Sequence, residues 1–184
     1  SGYMAAVGFD LYCRLLAEAA ERMRAMMKGE TPPPPREGPE VSIELPLSAH
    51  LPQSYVPDLN QRLALYQRMS DARERQEVES IRQELVDRFG EPPQPVRSLL
   101  YVILVRALAS QAGVQALATE DGQVVLKLSE GLLVPREELE ARAPRGVHLG
   151  RTLVRVELGE GWRTRLLEVL ESLAAQPVAM RNRP

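Results

Sequence analysis

The sequence is poor in cysteine and aromatic residues, and it has no long uninterrupted apolar stretch. Cys13 is the one cysteine among 184 residues, so an intramolecular disulfide is excluded and a reducing, cytoplasmic setting is expected. Aromatic residues make up 4% of the chain, so aliphatic side chains must fill most of the core. The most apolar stretch, residues 99–109, is interrupted by Arg106 and is shorter than a membrane span. No membrane partner is therefore expected.

A surplus of positive charge is also missing. The chain carries 23 Lys and Arg against 25 Asp and Glu, a formal net charge of -2. Proteins that bind nucleic acid by themselves usually carry a basic surplus that displaces counterions from phosphates. An independent DNA-binding role is therefore disfavoured, and contact with duplex DNA is expected to belong to a partner.

The composition is otherwise that of a globular protein, with a proline-rich interruption near the N-terminus. Hydrophobic residues make up 44% and charged residues 26% of the chain, as in folded domains. Helical spacing of apolar residues predicts a long helix over residues 7–27. Residues 29–40 include four consecutive prolines and are predicted to be a linker. Residues 1–28 are therefore predicted to pack separately from a domain at 41–176, which a flexible tail at 177–184 follows.

Beyond the linker, helices are predicted first and strands mainly later. Pattern and capping signals predict, in order, a strand at 41–47, helices at 58–70, 75–89 and 95–112, strands at 114–117 and 124–128 around Asp121-Gly122, a short helix at 135–142, a strand at 153–158 and a helix at 162–175. The predicted fold class is α+β: several helices packed on a small, mainly antiparallel sheet, preceded by a separate long helix.

Residues that could carry catalysis are few and scattered. His50, His148 and Cys13 lie in three separate segments, and none has a second His or Cys at metal-ligand spacing. The sequence contains no glycine-rich phosphate-binding motif, and Gly159-Glu160-Gly161 places a carboxylate where a phosphate needs bare amides. We therefore expect no catalytic residue, metal site or cofactor in this chain. The alternative is a small hydrolase whose site folding assembles from His50, His148 or carboxylates.

The most informative charged residues lie on the second of the three successive helices. Glu84, Asp87 and Arg88 have the i, i+3, i+4 spacing that places them on one polar face, opposite Ile81 and Leu85. This face is either a solvated surface, on which Glu84 pairs with Arg88, or an acidic docking surface for arginines of another domain. The residues alone leave both interpretations open.

Three segments of the chain carry a resemblance to a known family. They read SGYMAAVGFDLYCRLLAEA, EVSIELPLSAHLPQSYVPDLNQRLALYQRMS and EVESIRQELVDRFGEPPQPVRSLL, in this order. Over about residues 3–112 the chain resembles the C-terminal end of the bacterial transcription-repair coupling factor family, Mfd. The last 70 or so residues fit the family only in their order of strands and helices.

The resemblance implies a parent protein with several activities. Such a parent is a double-stranded DNA translocase driven by ATP with magnesium, which removes stalled RNA polymerase and recruits the repair protein UvrA through a UvrB-like module. Residues 1–28 would be the tail of its translocation motif region. Residues 41–176 would be a C-terminal regulatory domain without ATPase motifs. That domain would pack on the UvrB-like module, mask the UvrA-binding surface and restrain the motor.

The resemblance also implies roles for single residues. The segment ELVDRFG places Glu84 and Asp87 at the acidic positions of the family that face arginines of the UvrB-like module, and Arg88 lies beside them. The expected partner interface is therefore Glu84, Asp87 and Arg88. The expected function is autoinhibition in transcription-coupled DNA repair, and the alternatives are a docking module without repression or the small hydrolase.

Overall fold

The computed structural model of the chain describes residues 22–29, 31, 41–141 and 143–176. Residues 22–28 are helical and are called α1. The other elements are β1 (Ser42–Ile43), α2 (Leu59–Asp71), α3 (Arg75–Phe89), α4 (Gln94–Gln111), β2 (Val114–Glu120), β3 (Gln123–Leu128), α5 (Arg136–Glu140), β4 (Val147–Leu149), β5 (Leu153–Glu157) and α6 (Trp162–Ala174). The predicted α+β class is confirmed. Most of the predicted N-terminal helix, the linker and the tail at 177–184 lie outside the described residues.

The strands form one mixed sheet in the order β1-β2-β3-β5-β4. The pairs β2–β3, β3–β5 and β4–β5 are antiparallel, whereas β1 runs parallel to β2. The mainly antiparallel sheet is confirmed, and the first strand lies at one edge of it. β1 is shorter than the predicted 41–47. Glu44 N–H still donates to the Leu117 carbonyl at 2.8 Å, but Pro46 has no N–H with which to extend the pairing.

Long-range contacts divide the chain into two compact units. The first consists of Ser1–Pro39 and Leu47–Leu104, and the second of Glu40–Pro46 and Val105–Pro184. α4 begins in the first unit and ends in the second. The assignment of residues 41–176 to one regulatory domain stays a prediction.

The first unit is built by α2, α3 and the beginning of α4. Asp58 Oδ1 accepts a hydrogen bond from Gln61 N–H at 2.8 Å and begins α2 as predicted. Gly90, at φ 81°, ends α3 where a glycine is expected. Arg24 on α1 donates to Gln67 on α2 at 3.3 Å, so α1 contacts this unit. Its core consists of aliphatic residues with one tyrosine: Leu51, Val56, Leu65, Tyr66, Met69, Ala72, Val78, Ile81, Leu85, Val96, Leu99, Leu100 and Ile103.

The second unit contains the sheet, and α6 packs against β5. The predicted hairpin turn is confirmed, since Asp121 has φ 47° and Gly122 has φ 76° between β2 and β3. β4 was not predicted, because it is only three residues long and lies between glycines. Deeply buried residues of this unit come from the end of α4 and from β2, β3, β5 and α6: Val105, Ala109, Leu117, Val124, Leu126, Val154, Val156, Leu166, Leu170 and Leu173.

In the part of the chain that the structure describes, no helix combines the length and the apolar character needed to cross a membrane.

Candidate functional site

The predicted polar face of α3 lies in the first unit, beside α2. Val78, Ile81 and Leu85 are buried on the opposite side of α3, as the helical spacing predicts. Glu84 is partly buried, whereas Asp87 and Arg88 are exposed. Arg68 of α2 reaches the same face. These four residues, Arg68, Glu84, Asp87 and Arg88, are called the α2–α3 charge cluster below.

Glu84 is the centre of the α2–α3 charge cluster. Its Oε1 accepts a hydrogen bond from Arg88 Nη1 at 2.6 Å, which confirms the predicted pair within the helix. Its Oε2 accepts a hydrogen bond from Arg68 Nη1. The Arg68 guanidinium, followed by that of Arg88, holds the pKa of Glu84 below its ordinary value against the opposing effect of desolvation. Glu84 is thus a charged carboxylate whose two oxygens are both engaged.

Arg88 is fixed by contacts with two helices. Its Nη2 donates to Gln61 Oε1 on α2 at 3.2 Å, and its guanidinium lies 4.9 Å from the centre of the Phe89 ring. Phe89 in turn contacts the ring of Tyr55, with centroids 5.7 Å apart. Gln61 also takes part in the N-terminal cap of α2, where its backbone N–H donates to Asp58 Oδ1.

Asp87 differs from Glu84 in its surroundings. Its carboxylate is exposed, and no ion pair or hydrogen bond of this group is found among the described residues. The formal charges of the α2–α3 charge cluster sum to zero, with Asp87 as the carboxylate that is open to an incoming cation. Such an arrangement can bind the guanidinium or ammonium group of another protein surface.

A groove of about 480 Å³ adjoins the α2–α3 charge cluster. It lies between the end of α2 and the beginning of α3, and Arg68 lines it together with Asp71, Glu74 and Glu77. Glu77 is a structural residue there, because its carboxylate accepts from the backbone N–H groups of Arg73 at 2.6 Å and Glu74 at 3.1 Å. These two hydrogen bonds lower the pKa of Glu77.

The other candidate residues lie in different units or outside the described residues. His50 is exposed in the first unit. His148 lies on β4 in the second unit, and its Nε2 is 2.7 Å from Glu157 Oε1, a local pair at the surface. Cys13 lies outside the described residues. Among the residues that are described, no group of three His, Cys, Asp or Glu side chains could hold a metal ion.

The sequence predicts that Glu84, Asp87 and Arg88 share one face of α3, but it does not indicate that Arg68 and Gln61 contact this face. Both missed residues lie on α2, and Arg68 is 16 positions from Glu84. Pairs within one helix follow from i, i+4 spacing, whereas pairs between helices depend on how the helices pack. The sequence feature that could have indicated the pair with Glu84 is Arg68 itself, a basic residue in the last turn of α2.

Both the sequence and the fold are similar to those of known proteins. A family model described as the TRCF domain matches residues 45–139. The transcription-repair-coupling factor of Mycobacterium tuberculosis is 41% identical over 118 residues, which are 62% of this chain and 10% of that protein. That of Escherichia coli is 34% identical over 130 residues, 71% of this chain and 11% of that protein. That of Myxococcus xanthus is 38% identical over 167 residues, 79% of this chain and 13% of that protein.

The chain therefore spans about a tenth of the length of these relatives. A solved structure, the crystal structure of the C-terminal domain of a transcription-repair coupling factor, resembles the fold with a TM-score of 0.64. The match covers 77% of this chain and 94% of that chain at 21% sequence identity. At this identity the likeness concerns the fold.

Proposed function

The chain belongs to the TRCF domain family, the C-terminal domain of transcription-repair coupling factors, and from this premise we propose that it restrains the motor of a DNA translocase. In this proposal the α2–α3 charge cluster packs on arginines of the UvrB-like module within the same full-length protein. The docked domain masks the surface that recruits UvrA. ATP, magnesium, duplex DNA and RNA polymerase are bound by other parts of the full-length protein, which works in the cytoplasm.

The observation that carries this proposal is the exposed carboxylate of Asp87, for which the described residues provide no hydrogen bond or ion pair, beside Glu84. Both carboxylates lie within the residues that match the family model. A purely solvated face would leave no reason to expect an effect of Asp87 on another domain. A docking face gives Asp87 a cation to bind, and a bidentate arginine adds directional specificity.

The proposed contact between this domain and the UvrB-like module is weak, because it consists of exposed ion pairs. Exposed ion pairs contribute about 0–1 kcal/mol each, because water screens them and long side chains lose freedom. Attachment within one polypeptide raises the effective concentration of the two surfaces, so weak pairs suffice to populate a closed state. A second ligand that favours the open state, such as engaged polymerase, can then shift the population.

The test measures the ATPase rate and UvrA binding of the full-length protein. Three forms are compared: intact, deleted from residue 41 onward, and doubly substituted with Glu84→Lys and Asp87→Lys. We expect the deletion and the double substitution to raise both quantities, because each removes the attraction that holds the closed state.

A matched control reverses two exposed carboxylates elsewhere. Glu130 and Glu138 are exposed and lie in the second unit, so Glu130→Lys with Glu138→Lys changes the net charge equally without touching the α2–α3 charge cluster. This control is expected to leave both quantities unchanged. If the deletion changes neither quantity, autoinhibition is wrong and a docking role alone remains.

A further inference from the structure

Two arginines of the domain itself, Arg68 and Arg88, already pair with Glu84 in the α2–α3 charge cluster. The proposed function needs carboxylates that can receive cations of another module. Glu84 is not free to do so, because Arg88 Nη1 donates to Oε1 at 2.6 Å and Arg68 Nη1 donates to Oε2. An incoming guanidinium therefore meets two positive groups at Glu84, whereas at Asp87 it meets an open carboxylate.

The two arginines on Glu84 are held to different degrees. Arg88 lies on the same helix as Glu84, donates to Gln61 Oε1 at 3.2 Å and contacts the Phe89 ring. Arg68 reaches across from α2, its side chain is 48% exposed, and within the described residues its guanidinium has no second hydrogen-bonding partner. An arginine from another module would therefore displace Arg68 more easily than Arg88.

The groove beside the cluster leaves space next to Arg68. Arg68 lines this groove of about 480 Å³ together with Asp71 and Glu74, and the Glu74 side chain accepts from the Glu77 backbone N–H. A guanidinium that leaves Glu84 can turn into the groove and stay close to negative charge. Because the lost attraction is partly replaced, the exchange costs less than moving the same charge into bulk water.

We infer that Arg68 is an internal competitor for the partner's arginine: it occupies Glu84 in the undocked domain and is exchanged on docking. The inference rests on the proposed function. It makes Arg68 a specificity-determining residue, because Glu84 then accepts only a group that competes with a guanidinium. A planar arginine that binds both carboxylate oxygens meets this condition better than a lysine.

The test is Arg68→Gln in the full-length protein, with the ATPase rate and UvrA binding as readouts. Removing the competitor frees one oxygen of Glu84 and favours the closed state. We expect both readouts to fall by about 1.5- to 5-fold, the range that corresponds to one exposed ion pair. Thermal unfolding of the variant checks that the domain stays folded.

The matched control is Arg82→Gln. The Arg82 side chain is also 48% exposed and pairs with Glu79 at 2.6 Å on α3, outside the α2–α3 charge cluster. Arg82→Gln removes the same charge from the same unit as Arg68→Gln. Equal effects of the two substitutions on the readouts would mean that only net charge matters, and this would overturn the inference. In a Glu84→Gln background Arg68→Gln is expected to add nothing, because the carboxylate for which it competes is gone.

The opposite outcomes separate this inference from the proposed function. If Arg68→Gln raises both readouts, Arg68 holds Glu84 in place for the partner, and the competitor role is wrong. The same conclusion follows if it changes neither readout while Asp87→Asn raises both, and docking at the cluster would then still stand. If Asp87→Asn has no effect on either readout, the proposed docking surface itself is wrong.

Discussion

At the residue scale, the clearest contrast lies between side chains that differ only in what surrounds them. Glu84 and Asp87 are carboxylates three positions apart, yet two guanidiniums engage one of them and the other is open. Tyr55 and Tyr66 show the same contrast for hydroxyl groups. The Tyr55 hydroxyl lies within hydrogen-bonding distance of the partly buried Leu85 carbonyl, at 3.1 Å, and of the exposed Gly90 carbonyl, at 2.8 Å.

Tyr66 accepts a hydrogen bond from Leu51 N–H at 2.8 Å in the buried core. We expect Tyr66→Phe to lower the free energy of unfolding by about 1–3 kcal/mol, because the buried N–H loses its partner and no water replaces it. Tyr55→Phe is the comparison, with an expected loss of about 0.5–1.5 kcal/mol, since water can reach the exposed Gly90 carbonyl that it leaves. Urea titration measures both losses, and a larger loss for Tyr55→Phe would contradict the argument.

At the element scale, helix and strand ends are set by a few residues with special backbone requirements. Asp58 begins α2 through its side chain, and Gly90 ends α3 with a positive φ. The β2–β3 hairpin turns on Asp121 and Gly122, which both have positive φ. Leu158 N–H also donates to the Gly122 carbonyl at 2.9 Å, so this turn is tied to the end of β5.

Gly122→Ala tests the backbone requirement of this turn. A Cβ at Gly122 would meet nothing within 4 Å, so the cost is conformational and arises from φ 76°. We expect a loss of about 1–2 kcal/mol in the free energy of unfolding. Gly159→Ala is the control, because Gly159 has no positive φ and the nearest atom, in the Arg165 side chain, is at an ordinary contact distance of 3.6 Å. Equal losses in the two variants would refute the conformational explanation.

Prediction from the sequence succeeded best at this scale. The hairpin and the helix ends follow from residues next to one another in the chain, such as Asp121-Gly122 and Phe89-Gly90. β4 was missed because three residues carry too little periodicity. The pair of Arg68 with Glu84 and the pairing of β1 with β2 were also missed, because both join residues that only the packing of elements brings together. The docking roles of Glu84, Asp87 and Arg88 came from family resemblance and stay predictions.

At the scale of the whole molecule, charge is balanced overall but concentrated locally. The net charge is -2, yet α3 carries Glu77, Glu79 and Glu84, whose pKa values are all lowered. The main causes are backbone N–H groups for Glu77, the Arg82 side chain for Glu79 and the Arg68 side chain for Glu84. Each carboxyl therefore binds its proton less readily in the folded state than in the unfolded state.

Acid should therefore lower the free energy of unfolding. Lowered pKa values in the folded state contribute stability above about pH 4.3, the ordinary value for glutamate, and this contribution is lost as the pH falls below it. We expect Glu84→Gln to reduce the loss of unfolding free energy between about pH 5 and pH 3. Glu138→Gln, at an exposed position without a contact among the described side chains, is expected to leave the slope unchanged. If the unfolding free energy of Glu84→Gln fell more steeply with decreasing pH than that of the unchanged protein, the proposed stabilising effect of the Glu84 carboxylate would be wrong.

The pairing of β1 with β2 also orders events while the chain is being made. Ile43 pairs with Leu117, which lies 74 residues later in the chain. At bacterial-type elongation of about 5–20 residues per second, β2 is synthesised roughly 4–15 s after β1. During that interval all of Leu47–Leu104 is synthesised, so the helices of the first unit can assemble while β1 still has no neighbour. The second unit is thus begun before Leu47–Leu104 is synthesised and completed after it.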